Sequence, residues 1–452
     1  MQTHRHQADI LIIGGGVCGL NAALTAREQG RSVIVMDKAV IERSGHIAGG
    51  IDHFLAYMNT GAEWDTREAY LEFTGKSARG VTNIDVVDSV YCQELPHALK
   101  RFEEINCTLR QPDGTYYRTK SYGQPGPWWI NFNGKRMKPL LAKAARKAGC
   151  AVLDRVVTAD LLTNGGTVCG AAGFDIRTGD FHIIRAGAVI ISTGGTNRLY
   201  SNPSGMSFNT WMCPADTGDG IRMAQSVGAA LRDMDQIQLL QTTQPGTGNC
   251  VYAYVAPKEA AGYLFFNKEG HRFIGEDGRR DEMSKAMIAQ PDGLVYYIFS
   301  CEDPNQVYSL GKKTLQYYLD NHLYGYMIDT SIEGLAGQMG VPADALAQTV
   351  AEFNAHTKAG DKDEFGRVSW ADTIEGPYYV AYQRKPAVHH TMGGVRIDTK
   401  THALRADGTV IEGLYCAGEV VGGIHGGNRL GGNAIVDFCV FGRLAGQTAA
   451  TE

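Results

Sequence analysis

The chain has 452 residues, too many for one ordinary hydrophobic core, and predicts two domains. Hydrophobic residues at 44% and charged residues at 20% give a soluble globular composition. A net charge of -5 argues against nucleic acid as a partner, and no run of about 20 apolar residues predicts membrane insertion.

The first predicted unit is ADILIIGGGVCGLNAALTAREQGRSVIVMDK at 8–38. Ile10 to Ile13 read as a buried strand, 17–29 as a helix that Gly30 ends, and Ser32 to Met36 as a second strand closing at Asp37. The early apolar run breaks at three glycines, so a signal peptide is not expected and a cytoplasmic location is. Gly14, Gly16 and Gly19 form G-x-G-x-x-G between strand and helix. The first allows the tight turn, the second lets backbone approach a pyrophosphate, and the third lets helix pack on strand. Asp37 stands where a carboxylate accepts bonds from ribose hydroxyls.

Further along, 151–193 reads as short strands with a turn at Thr178-Gly179-Asp180, and 217–231 as a turn and a helix. From 236 to 376 the texture turns richer in Gln, Tyr and Asp, with helices near 311–324 and 342–357. This predicts an inserted second domain, with 1–235 and 377–452 forming a discontinuous first one. Glycine clusters at 14–16, 49–50, 194–195, 393–394 and 422–432 mark close backbone approach, most economically to a large phosphate-containing cofactor. The ten cysteines show no C-x-x-C spacing, so neither an iron–sulfur cluster nor any other metal site is expected, only free thiols in a reducing compartment.

Three blocks carry a resemblance: STGGTNRLY at 192–200, TGDG at 217–220, and GLYCAGEVVGGIHGGNRLGGNAIVDFCVFGR at 413–443. With the opening motif they resemble the flavoprotein subunits of the fumarate reductase and succinate dehydrogenase superfamily, over most of the chain. The resemblance implies an α/β fold: a Rossmann-like FAD-binding domain with an inserted α+β capping domain, and substrate between them. It implies FAD on Gly14, Gly16, Gly19, Asp37, Lys38, Ser44, Gly45, Gly49, Gly50, Val157, Thr193, Gly194, Asp219, His390 and Gly418. Glu419 falls near the ribityl chain, and Gly432, Asn433, Ala434 and Ile435 near the flavin pyrimidine. A helix starting near Asn433 would aim its positive end at the ring edge, where reduced flavin carries negative charge.

The same resemblance implies an arginine that protonates substrate while flavin N5 delivers hydride. RRDEMSKAMIAQ places it at Arg280; HGGNR and HHTMGG add Arg429 and His389. Two guanidinium groups and an imidazole suit a small anionic substrate. Electrons are expected from a separate ferredoxin-like iron–sulfur protein. Oligomeric state stays open.

The sequence also departs from the pattern. Gln244 stands where a histidine is expected, and Ala256 and Glu259 replace the Glu-x-x-Arg pair that feeds protons to the catalytic arginine. Arginine releases protons poorly unless its surroundings drive it, so the loss matters. Lys258 is the candidate substitute. The loss also motivates another reading, a flavin electron-transfer subunit without substrate chemistry, which the retained Arg280, Arg429 and His389 oppose.

RSGHIAGGIDHFLAYMN at 43–59 and PWWINFNGKRMKPLLAKAA at 127–145 are similar to the adenylylsulfate reductase alpha subunit, over the first third. The alternative this opens is a flavoenzyme acting on a sulfur centre. By position, in a segment that in the superfamily passes near the isoalloxazine, Asp52 and His53 are expected to orient substrate under either reading, as is one of the adjacent Trp128 and Trp129, which on a strand face opposite ways; Trp129 is the candidate. Respiratory members attach FAD through a histidine in this region. His46 is out of that register, so non-covalent FAD is expected.

Overall fold

The computed structural model describes residues 1–80, 83–120, 124–197, 215–245, 264–308 and 313–452. These fall into two compact units. One runs from Met1 to 197 and adds 215–238 and His390–Glu452; the other lies within Leu239–His389.

In the first unit, β1 (Thr3–Ile13) leads through the glycine turn into α1 (Val17–Glu28) and then β2 (Val33–Asp37). β1 begins well before Ile10, because residues 3–9 pair in parallel with Phe181–Ile191 from Thr3↔Phe181 onward. Their polar side chains hide this strand from hydrophobic periodicity, but a neighbouring strand supplies the hydrogen bonds. The parallel strands lie in the order Ala151–Asp154, β2, β1, Phe181–Ile191, Val410–Cys416. The order reverses beside β1, and ligands of such sheets bind at that switch point, beyond the carboxyl ends of the strands. An antiparallel hairpin, Val156–Asn164 and Thr167–Asp175, adds to Phe181–Ile191. Its link to that strand contains the expected turn, with Gly179 at φ +72°.

The helix Asn433–Thr451 packs tightly on α1: a Cβ on Gly442 would lie 2.4 Å from the Cys18 carbonyl oxygen, and one on Gly446 2.3 Å from that of Ala22. A small sheet of His53–Leu55, Trp129–Asn131 and Tyr117–Thr119 completes the site side of this unit.

The second unit is α+β. Its antiparallel sheet joins Ile237–Thr243, Tyr378–Thr391, Val295–Cys301, Leu264–Phe266 and Tyr326–Asp329. Both faces are buried. Val295, Tyr297 and Phe299 pack with Met283, Met287 and Leu315, while Tyr296 and Ile298 pack with Leu335, Leu346 and Phe353. Helices Arg280–Ile288 and Leu315–Asp320 supply the first set, Ile332–Met339 and Ala343–Ala359 the second. Residues 378–389 belong to this sheet, so the chain rejoins the first unit at His390 rather than at 377. Among the described residues no helix is long and apolar enough to cross a membrane.

Candidate active site

The glycine turn shows three different demands. Gly14 has φ +104°, and a Cβ there would lie 2.5 Å from the Ser192 carbonyl oxygen. A Cβ on Gly19 would lie 1.9 Å from the Gly14 carbonyl oxygen, so helix-to-strand packing forbids a side chain. A Cβ on Gly16 would meet nothing within 4 Å: this glycine opens into free space. Asp37 anchors the turn from below, accepting from Gly15 N–H and Ala39 N–H, both at 2.6 Å. The fully buried Lys138 donates to the carbonyl oxygens of Gly15 (2.5 Å) and Ile41. Burial lowers its pKa to about 8, against the pull of Asp37, Glu42 and Asp154.

Above the turn lies a cavity that opens to solvent. Ten of the expected cofactor residues line it: Gly14, Gly16, Asp37, Lys38, Ser44, Gly45, Thr193, Gly194, Asp219 and Glu419. Lys38 Nζ ties one wall, donating to Thr217 Oγ1 (2.7 Å) and Asp219 Oδ2 (2.6 Å). Other expected residues stand elsewhere. Gly19 packs behind the turn. Gly49 ends the short turn His46–Gly49, and Gly50 (φ +105°) abuts Lys135. Val157 pairs with Phe174 in the hairpin, and its neighbour Thr158 takes the place on the wall. Gly418 packs on Cys18.

His46, Asp216 and Asn197 converge on Glu419 from separate segments. His46 Nδ1 lies 2.9 Å from Glu419 Oε2, and its Nε2 3.2 Å from Asp216 Oδ2. Asn197 donates from Nδ2 to Glu419 Oε1 (2.9 Å) and from its backbone to Asp216 Oδ2 (3.1 Å). Thr391 N–H donates to Glu419 Oε1 at 3.0 Å, and His390 Nδ1 lies 3.3 Å from the same oxygen. Burial alone would depress the His46 pKa, but the charges of Glu419 and Asp216 outweigh it and hold the ring well above its ordinary value, as an imidazolium. Ligand atoms of His46, Asp216 and Glu419 lie within 4.8 Å of one another. With a cation already between two carboxylates, they form an ion-pair group.

Thr193 Oγ1 and Asp216 Oδ1 are buried on this cavity wall without a hydrogen bond. Buried polar atoms are ordinarily paired, so an open cavity edged by two unpaired ones calls for a polar ligand. Together with the open Gly16, they fit a dinucleotide.

A second group gathers where helix Asn433–Thr451 begins. Gly432 has φ +82°, and a Cβ there would lie 2.9 Å from His53 Cδ2. Trp129 donates from Nε1 to the Gly431 carbonyl oxygen at 3.0 Å, and its ring lies 4.4 Å from that of His53. Trp128 is fully buried behind it. Asp52, exposed, sits 2.7 Å from His53 Nδ1, a contact that lowers its pKa. Tyr70 Oη donates to Asn433 Oδ1. Ala434 and Ile435 continue the first helical turn. Arg429, 6% exposed, donates from Nη2 to Gln238 Oε1 (2.7 Å) and from Nη1 to the Leu430 carbonyl oxygen (2.9 Å). Behind them His425 Nε2 meets Asp437 Oδ2 at 3.0 Å, with the His390 ring 5.3 Å from that of His425.

Three expected substrate residues belong to the second unit. Arg280, half-buried, opens helix Arg280–Ile288; His389 lies near the end of strand Tyr378–Thr391, and Gln244 just after Ile237–Thr243. Ala256, Lys258 and Glu259 lie outside the described residues. Sequence reasoning passed over Asp216, Asn197 and Thr158. Asp216 had a signal, standing directly before the TGDG block, and Asn197 lies inside STGGTNRLY.

A parallel sheet with its switch point at a glycine turn, and a cavity edged by unpaired polar atoms, defines a dinucleotide-binding α/β protein. Comparison with known proteins makes this particular: the chain belongs to the FAD binding domain family, whose model matches residues 9–435. It is 32% identical over 98% of its length to the probable fumarate reductase Ifc3 of Shewanella frigidimarina (strain NCIMB 400), spanning 74% of that protein. It is 31% identical, with coverages of 98% and 74%, to the urocanate reductase of Eggerthella lenta. Among solved structures, the open conformation of a flavocytochrome c3 fumarate reductase superposes with a TM-score of 0.78 at 29% identity, over 99% of this chain and 78% of that one. Adenosine-5-phosphosulfate reductase in complex with sulfite superposes at 0.59 and 21% identity, over 99% and 70%, a likeness of fold alone. The protein is an FAD-dependent oxidoreductase of fumarate-reductase-like type.

Proposed function

We propose that the protein reduces the carbon–carbon double bond of a small α,β-unsaturated carboxylate. The observation that carries this reading is Arg429, a buried guanidinium two residues before the turn that opens helix Asn433–Thr451. A guanidinium and a helix N-terminus both attract anions, and the guanidinium binds a carboxylate through two parallel hydrogen bonds. The relatives' substrates, fumarate and urocanate, support this class of molecule.

FAD, when bound, supplies the hydride. Arg429 holds a substrate carboxylate, with Trp129, His53 and Asp52 flanking the turn beside it. Arg280 and His389 come from the second unit, which acts as the capping domain. His389 binds the anion and Arg280 donates a proton to the carbon that does not receive hydride. Gln244 supplies an amide where the resemblance implies a histidine. The pair that would resupply Arg280 is missing from the sequence, with Ala256 and Glu259 in its place and Lys258 the nearest substitute.

Non-covalent FAD is supported by the pairing of both His46 ring nitrogens with carboxylates. A separate iron–sulfur protein is the electron source in this reading, because the cysteines of the sequence show no C-x-x-C spacing.

The test is anaerobic: reduce the flavin and follow its reoxidation by fumarate, urocanate and adenylyl sulfate. Reoxidation by an unsaturated acid, lost in Arg429→Ala and Arg280→Ala, is expected. Reoxidation by adenylyl sulfate alone, or turnover that survives both substitutions, overturns the reading.

A further inference from the structure

One cluster of titratable side chains lies away from the cavity. β1 and Phe181–Ile191 pair in parallel with His4 opposite His182, which puts His4, His6 and His182 on one face of the main sheet. The His182 ring centroid is 5.0 Å from that of His4 and 5.2 Å from that of His6. His6 Nε2 and His182 Nδ1 lie 3.0 Å apart, and Asp180 Oδ2 lies 3.4 Å from His4 Nε2. None of the four lines the cavity.

We propose that His6 and His182, completed by His4 and Asp180, bind a divalent transition-metal ion such as zinc on the face of the sheet. Two imidazole nitrogens bound to one zinc ion at about 2.0–2.1 Å are separated by roughly 2.9 Å at a right angle and 3.4 Å at the tetrahedral angle. The 3.0 Å found between His6 and His182 falls in that interval before any ion is added. His4, with 42% of its side chain exposed, has room to turn its nitrogen inward, and Asp180 supplies a carboxylate oxygen. Imidazole with carboxylate is a ligand set that zinc and its neighbours accept.

A hydrogen bond between two neutral rings also gives a short nitrogen–nitrogen distance, but it requires neither the third imidazole nor the carboxylate. An ion here would tie the start of β1 to the Thr178–Asp180 turn, far along the chain.

The test uses the flavin-loaded protein, freed of metal by a chelator and desalted. Zinc is titrated by calorimetry, and cobalt by its visible difference spectrum. One ion per chain is expected, with a higher thermal midpoint in zinc. His182→Ala and His6→Ala should each weaken zinc by more than about tenfold, a loss already typical of groups that only support a ligand. His6→Gln, which keeps most of the side-chain volume, and His4→Ala, at a half-exposed position, serve if the first variants fail to fold, and flavin absorbance reports folding. Absence of heat and of cobalt bands overturns the proposal, as does zinc binding unchanged in His182→Ala or in His6→Gln.

Discussion

The two units bury polar groups in opposite ways. In the second, Arg272 reaches Glu276 at 2.7 Å and Asp363 at 2.8 Å, and Arg367 reaches Glu276 at 2.8 Å. Glu276 Oε1 also accepts from Phe265 N–H at 2.9 Å, and the Arg367 guanidinium lies 4.8 Å from the Phe353 ring and 4.7 Å from that of Trp370. Each charge in the group meets an opposite charge of the same group. In the first unit Glu419 and Asp216 are also buried, yet Asp216 Oδ1 and Thr193 Oγ1 face a cavity with no hydrogen bond made. Burial alone therefore does not mark a site; buried polarity that its own chain leaves incomplete does.

The largest effect should come from breaking the paired group. Arg367→Ala removes one of the two guanidinium groups on the buried Glu276 carboxylate and should cost about 3 kcal/mol in urea unfolding, while the molecules that still fold keep their full flavin content. Loss of flavin at unchanged stability would mean that this cluster too serves a ligand.

The glycine turn offers the same contrast at one-residue resolution. Gly19→Ala drives a Cβ into backbone and should cost about 3 kcal/mol. Gly16→Ala, three residues earlier, should leave stability within about 1 kcal/mol and instead weaken FAD, because its Cβ enters the cavity rather than the core. Equal destabilisation by the two would erase the distinction between packing and cofactor glycines.

The pH dependence sharpens the comparison further. The folded-state pKa of His46 is raised, so its stabilisation is complete below about 6.5 and lost as pH rises through the folded value. The FAD-free protein should lose stability above about pH 6.5 by up to roughly 1.4 kcal/mol per unit more than His46→Gln. Parallel stability curves for the two would show the ring to be neutral.

The smallest effect is expected at an ordinary helix end. Ser331 Oγ accepts from Gly334 N–H at 3.0 Å at the start of Ile332–Met339, and Ser331→Ala should cost about 1 kcal/mol with no change in flavin affinity. A change in flavin affinity would tie this helix to the cofactor site.

What the sequence by itself determined is the strand–turn–helix–strand unit around Gly14, Gly16 and Gly19, with Asp37 beneath it, and the presence of two units. Each is written in neighbouring residues: a short apolar run, glycines where backbone must crowd, and a helical period. The different burial of the adjacent Trp128, enclosed, and Trp129, half-buried, agrees with alternation along an extended chain. Tertiary structure decided the rest. β1 extends back to Thr3 only because Phe181–Ile191 lies beside it, and that one pairing also brings His4 and His6 to His182. The second unit keeps residues 378–389 because their partners are Val295–Cys301 and Tyr326–Asp329. His46, Asp216 and Glu419 come from three distant segments, and no periodicity records their meeting. Hydrophobic pattern is a local property of the chain, whereas the convergence of polar atoms depends on which strands pair, and that is settled only when the whole sheet forms.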